Sequence, residues 1–305
     1  MDPFTMWIWR NKDWLFAGAG LEALHLIWRR LNHTSRQSNP SIDIGLPYRE
    51  SAAAPPQPSD IPPSTEVGLI SGRIRHVLEL MNEGRGNDPF TYAALSNEMG
   101  LHSVGALENV ALGNVDPPFG FLDSFCNTFG VTRQWLVEGK GTPYAIFDPG
   151  RSYSDPYTCL DVIRATRPKM TYFVRSASAA GETTLVLKYS EYRYKVIRHH
   201  WNISDQVGGQ GEQQILGMYR LLKALSERRA ETGCSGGTLS NDIFWKLYGG
   251  TIFAGSVINL RFVNQWWDDF TDITHHYDIA KHYEGWYGKG FVRAQEIARV
   301  ALLHS

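Results

Sequence analysis

The sequence predicts an α+β protein, with an all-helical N-terminal module followed by a mixed module of strands and helices. Three observations carry this prediction. Apolar residues recur at three- and four-residue spacing through residues 70–137. A stretch at 183–197 alternates with the two-residue period of strands. A long amphipathic segment follows at 213–229. The 305 residues suffice for about two domains of ordinary size.

Taken in order, residues 1–5 precede a second methionine, Met6, and read as a leader left by cloning. Residues 6–32 form an apolar N-terminal helix. Leu21, Leu24, Trp28 and Leu31 share one face, suited to packing on a partner. Glu22, His25, Arg29 and Arg30 interrupt the apolar run, so a membrane span is not expected; contact with a membrane surface is the alternative reading. Residues 33–65 are a Pro- and Ser-rich linker, where proline removes helix and strand alike.

Residues 66–147 then read as five helices. Ile74, Val77, Leu78 and Met81 define the first, over Ile70–Asn82. The second runs Thr91–Met99 with Thr91 as its cap. Gly100 and Leu101 turn the chain into a third, Ser103–Leu112, with Leu107 and Val110 facing inward. Gly113 and Asn114 end it. Asp116-Pro117-Pro118 introduces the fourth, Phe119–Phe129, and Thr132–Val137 is the fifth. Asp148-Pro149-Gly150-Arg151-Ser152 marks a break before a mixed module, residues 151–305. There, Thr183–Ile197 is a strand or hairpin. Gln213–Arg229 is a helix with Ile215, Met218, Leu221, Leu222 and Leu225 on one face. Phe291–Leu303 closes the chain as a further amphipathic helix.

Composition narrows the function classes. Net charge is −1, which argues against a generally basic nucleic-acid coat. Cys126, Cys159 and Cys234 are odd in number and far apart, with no Cys-x-x-Cys pair. They fit a reducing cytoplasm rather than a disulfide framework or zinc finger.

The five-helix series resembles the lambda-repressor-like, Xre-type helix-turn-helix family over about residues 70–144. Its carriers are Arg73-Ile74-Arg75, Thr91 through Leu101, Leu107 with Val110, Gly113, Pro117, and Phe129-Gly130-Val131 through Trp135-Leu136 to Gly139 and Gly141. The resemblance implies a third helix lying in the major groove of double-stranded DNA. It places Ser103, Val104, Gly105 and Ala106 at the groove-facing start, Glu108 and Asn109 further along, and Thr91 and Tyr92 against the backbone. Asn109 could bond adenine twice, Ser103 a phosphate or base, and Val104 or Ala106 a thymine methyl.

The sequence also departs from the pattern. The turn carries an extra residue near His102, and the third helix has no Arg or Lys. Residues 66–150 hold five basic residues (Arg73, Arg75, Arg85, Arg133, Lys140) against ten acidic ones, whereas residues 151–305 hold nineteen basic and fifteen acidic. Phosphate neutralisation supplies most non-specific affinity, so weak, salt-sensitive binding is expected.

In the second half, Asp268, Asp269 and Asp272 make an Asp-Asp-x-x-Asp motif able to hold magnesium. The helical enzymes that use it carry a second acidic motif, absent here, so a solvated acidic face beside buried tryptophans is the simpler reading. His275 and His282, seven apart with His276, Asp272 and Asp278 nearby, are further metal candidates, but the spacing lacks His-x-x-x-His. No cofactor is expected. The dense tryptophans, Trp201, Trp245, Trp266, Trp267 and Trp286, imply an aromatic core, or a ligand pocket or dimer surface.

These readings combine into a homodimeric, phage-repressor-like transcriptional regulator. Its C-terminal domain would dimerise or sense a small molecule or protein. Two alternatives stand beside it. One is a protein-interaction adaptor whose helix-turn-helix no longer binds DNA. The other is an enzyme with its site in residues 151–305.

Overall fold

The computed structural model describes residues 65–149, 156–198, 200–227, 232–262, 265–274 and 277–304. The expected leader, N-terminal helix and most of the linker lie outside them, as do Gly150–Ser152 of the expected break. The described residues form a mixed α+β structure of twelve helices and one six-stranded sheet.

Five helices come first: α1 (Glu66–Asn82), α2 (Tyr92–Glu98), α3 (Gly105–Ala111), α4 (Phe119–Phe129) and α5 (Arg133–Glu138). The first begins four residues before the expected start at Ile70, because the Thr65 hydroxyl accepts from the Gly68 amide at 3.1 Å and caps the extra turn. Thr91 caps α2 the same way, accepting from Ala94 at 3.1 Å. The third helix is shorter than its sequence pattern, since Val104 is helical in backbone but has no capping side chain.

The sheet is built from β1 (Ile146–Phe147), β2 (Met170–Ser176), β3 (Glu182–Lys188), β4 (Tyr194–Ile197), β5 (Trp201–Asn202) and β6 (Gly233–Leu239). Its order is β1-β4-β3-β2-β6, with β5 also pairing β3. The β1–β4 and β2–β6 pairs are parallel and the others antiparallel. Six helices intervene or follow: α6 (Pro156–Thr166), α7 (Gly209–Glu227), α8 (Asn241–Tyr248), α9 (Ala254–Arg261), α10 (Trp267–Thr271) and α11 (Tyr277–Tyr287). The last helix is α12 (Lys289–Leu303).

Side-chain alternation along the strands divides the interior into two apolar clusters. Tyr172, Val174, Val186, Tyr194 and Val196 join the buried residues of α1–α5, α8 and α9 in one cluster. Phe173, Leu185, Leu187 and Ile197 join those of α6, α7 and α10–α12 in the other. The sheet is therefore a middle layer, and the five helices rest on one of its faces. Apart from Arg175, β2 and β3 bury uncharged side chains towards both sides, as strands covered on two faces must. The Trp266 indole donates to the Phe173 carbonyl at 3.2 Å, tying α10 to β2.

Three features fasten the five helices and the segment after them to the rest of the described structure. The Tyr192 ring, in the β3–β4 hairpin, packs on Phe90 at 4.7 Å and edge-on to Phe129 at 6.2 Å. Tyr144 meets Phe253 at 5.6 Å, and its amide donates to the Gly250 carbonyl at 3.1 Å. Gly130 ends α4 in the left-handed region (φ 68°), where a Cβ would sit 3.1 Å from the Tyr194 carbonyl. A side chain there is strained by its backbone and crowded by the hairpin. We expect Gly130→Ala to lower unfolding free energy by at least about 1–2 kcal/mol. Urea denaturation should show this as a lower midpoint with an unchanged slope.

Candidate nucleic-acid interface

The surface presented by α3 depends on α1. Ile74 of α1 is buried in the core, and the arginines on either side of it reach different helices. Arg73 donates from Nη1 to the Leu136 and Val137 carbonyls at 3.0 and 2.8 Å, closing the C-terminal end of α5. Arg75 donates to the Ala111 carbonyl at the end of α3. The buried Ser71 hydroxyl donates to the Val110 carbonyl at 2.7 Å. Helix C-termini leave carbonyls without partners and carry partial negative charge, so a guanidinium there satisfies both demands. Gly139 (φ 72°) caps α5 and leaves room for this, because a Cβ would lie 2.6 Å from the Arg73 guanidinium.

The α2–α3 connection is equally fixed. Leu101 and Gly100 amides donate to Ser96 and Asn97 carbonyls at 2.9 and 3.0 Å. The buried Ser96 hydroxyl donates to the Val104 carbonyl at 3.2 Å, pinning the start of α3. The Gly113 and Asn114 amides close its end onto Val110 and Asn109 carbonyls, at 3.0 and 2.8 Å.

On this frame the expected reading residues divide clearly. Ser103, Val104, Glu108 and Asn109 are exposed, with Val104 at 65%. Gly105 and Ala106 are half-buried, while Leu107, Val110 and Ala111 are buried. Thr91 is exposed, with its hydroxyl engaged as the α2 cap. Tyr92 is half-buried against the core; burial foremost, with Glu108 and Glu79 nearby, raises its phenol pKa against the opposing pull of Arg75. Leu112 (38% exposed), Val115 (48%) and Phe119 (67%), in and after the end of α3, are exposed apolar residues that the sequence did not single out.

The cations of residues 66–150 are engaged locally. Besides Arg73 and Arg75, Arg85 stacks over Phe90 at 3.6 Å and pairs with Asp88. Arg133 pairs with Asp123 at 2.5 Å and lies over Phe119. Lys140 pairs with Glu138 at 3.0 Å. The arginines of α1, read from sequence only as part of a family pattern, thus serve as helix caps.

Comparison of the chain with models of protein families, with curated proteins and with solved structures finds no match. Its chemistry therefore rests on these residues.

The candidates of the second half are placed differently. Asp269 is a structural hub: Tyr283 and Tyr287 hydroxyls donate to its carboxylate at 3.2 and 2.8 Å. Gln295 Nε2 donates to the Asp269 and Asp272 carbonyls at 2.8 and 3.2 Å. Burial, partly offset by the Tyr287 hydrogen bond, raises the Asp269 pKa. Asp268 is exposed and Asp272 half-buried. His275 lies outside the described residues, and exposed His282 stacks on Trp286 at 5.7 Å. Among the described residues, no group of three His, Cys, Asp or Glu side chains could hold a metal ion. Trp201, Trp266 and Trp267 are buried core, whereas Trp245 and Trp286 are partly exposed. A half-open cavity of about 420 Å³ beside α12 is lined by Ile273, Thr274, Val292, Gln295, Glu296 and Arg299, with no tryptophan. No helix among the described residues is long and apolar enough to cross a membrane.

Two substitutions test this account. Arg73→Ala should cost about 1.5–3 kcal/mol through the lost charged hydrogen bonds, with Arg73→Lys recovering only part because an ammonium is a point charge. Asp269→Ala should cost about 1–3 kcal/mol by removing a carboxylate that accepts from two buried phenols, although Tyr287 keeps the Gln265 carbonyl as an acceptor, and Asp269→Asn should cost less. Chemical denaturation of each purified variant measures both.

Proposed function

We propose that residues 65–149 read double-stranded DNA through the outward surface of α3. The chain would then act as a homodimeric, cytoplasmic transcriptional regulator. One observation supports this above the others. Glu108 and Asn109 on α3, with Ser103, Val104 and Leu112 at its two ends, are offered to solvent, and those ends are fixed by Ser96, Ser71 and Arg75. A helix held this way meets the requirement of major-groove readout, which is a rigid element whose exposed side chains reach base edges. The five-helix order and the tight α2–α3 turn add the resemblance to Xre-type domains. Two-fold symmetry would pair two such helices on a palindromic site. The mixed half would supply the dimer contact or the sensing site.

The engaged arginines set the character of that binding. With few free cations to neutralise phosphates, base contacts must supply much of the affinity. We expect a dimer to show a slope of log K against log salt of about −2 to −4, corresponding to roughly two to four neutralised phosphates. Gel-shift titration with genomic fragments at several salt concentrations measures this. Equal affinity for every fragment and for random duplex at low salt would rule the reading out.

The same charge pattern favours a second reading, in which the α3 surface contacts a protein. Ten acidic residues in 66–150 and the exposed apolar Val104, Leu112, Val115 and Phe119 suit a basic, apolar partner surface. Co-purification of a stoichiometric protein partner, free of nucleic acid, would support it.

A further inference from the structure

The outward surface of α3 carries one acidic side chain with no ion-pair partner among the described residues. Among the described residues, the Glu108 side chain has no hydrogen bond or ion pair. It is exposed and belongs to a helix that carries no Arg or Lys. Arg75, the cation that shares its neighbourhood around Tyr92, donates instead to the Ala111 carbonyl. Beside it, the exposed Asn109 carboxamide accepts one side-chain hydrogen bond and reaches back over the first turn of α3. Asn114 Nδ2 donates to Asn109 Oδ1 at 3.3 Å, and Asn109 Nδ2 lies over Gly105, 3.4 Å from where a Cβ would stand.

A bare carboxylate on a DNA-facing helix is electrostatically adverse. It repels phosphates at any sequence, and it repels the acceptor atoms of guanine (O6, N7) and the thymine O4. The adverse effect disappears only opposite an amino group, which the major groove offers at cytosine N4 and adenine N6. Such a group discriminates chiefly by penalising wrong partners.

Resting on the DNA reading above, we propose that Glu108 is the specificity-determining residue of this surface. It admits amino-bearing base edges and repels other duplex, while Asn109 beside it reads adenine. The preferred half-site therefore contains adenine and cytosine on the strand facing α3, and owes nothing to an arginine–guanine contact.

The test uses the full chain and a randomised duplex pool at low salt. Wild type should enrich a half-site in which adenine and cytosine occupy neighbouring positions. Glu108→Gln removes the charge, leaves an acceptor and disturbs no packed contact. It should bind random duplex several-fold more tightly. Its preference for the selected site over random duplex should fall by about 5- to 100-fold, the range of one base-reading pair. Asn109→Ala should lose selection at the adenine position alone. A Glu108→Gln variant with the wild-type preference ratio overturns the inference and leaves DNA binding standing. Enrichment of a guanine-centred half-site does the same. Failure of the wild type to enrich any sequence removes the DNA reading itself, and is seen before any variant is made.

Discussion

The pair of arginines flanking Ile74 is the constraint on which the helical layer depends. Ile74 faces the core, so its neighbours in sequence must diverge around the helix. Arg73 goes to the end of α5 and Arg75 to the end of α3. One turn of α1 thereby fixes two short helices, of six and seven residues, that have too few internal hydrogen bonds to be stable alone. Gly139 belongs to the same arrangement, since its missing side chain is where the Arg73 guanidinium lies.

This arrangement explains what the sequence could and could not disclose. The five helices were legible because Ile74, Val77, Leu95, Leu107, Val110, Phe125 and Leu136 follow the helical period and are all buried. The Thr91 cap was legible for the same local reason. Thr65 was not, because it ends a Pro- and Ser-rich run and reads as the last residue of the linker, although Val67 lies at helical spacing from Ile70 and Ile74. The hairpin at 183–197 showed its alternation, but Met170–Ser176 did not. With both faces covered, that strand offers Tyr172 and Val174 to one cluster and Phe173 to the other, and no polar–apolar contrast survives. The glycines of β6 hide a strand in a similar way: Gly236 and Gly237 make room for Trp267 and Phe262, so they resemble loop punctuation in one dimension.

The candidate site was partly legible. Exposure of Ser103, Val104, Glu108 and Asn109 follows from the burial of Leu107 and Val110 once a helix is placed there. Sequence could not say which cations would be free. Arg73, Arg75 and Arg133 look alike as letters, and only their partners, two sets of helix carbonyls and Asp123, separate a structural guanidinium from one available to a ligand. Asp269 teaches the same lesson with the opposite charge. Within a motif that suggests metal binding, the Asp269 carboxylate accepts from Tyr283 and Tyr287.

The sheet beneath the helices has a consequence for how the chain reaches this state. Strand β2 pairs along its length with β6, whose first residue is Gly233, and the hairpin bearing Tyr192 comes before that partner. On a ribosome, the surface of Phe90 and Phe129 that finally rests on Tyr192 emerges well before β6 exists to complete the sheet. Non-local pairing of this kind is slow, and apolar surface waiting for it is prone to aggregate. What waits longest is the edge of β2, which lacks its parallel partner until Gly233–Leu239 is made and is open to mispairing over that interval.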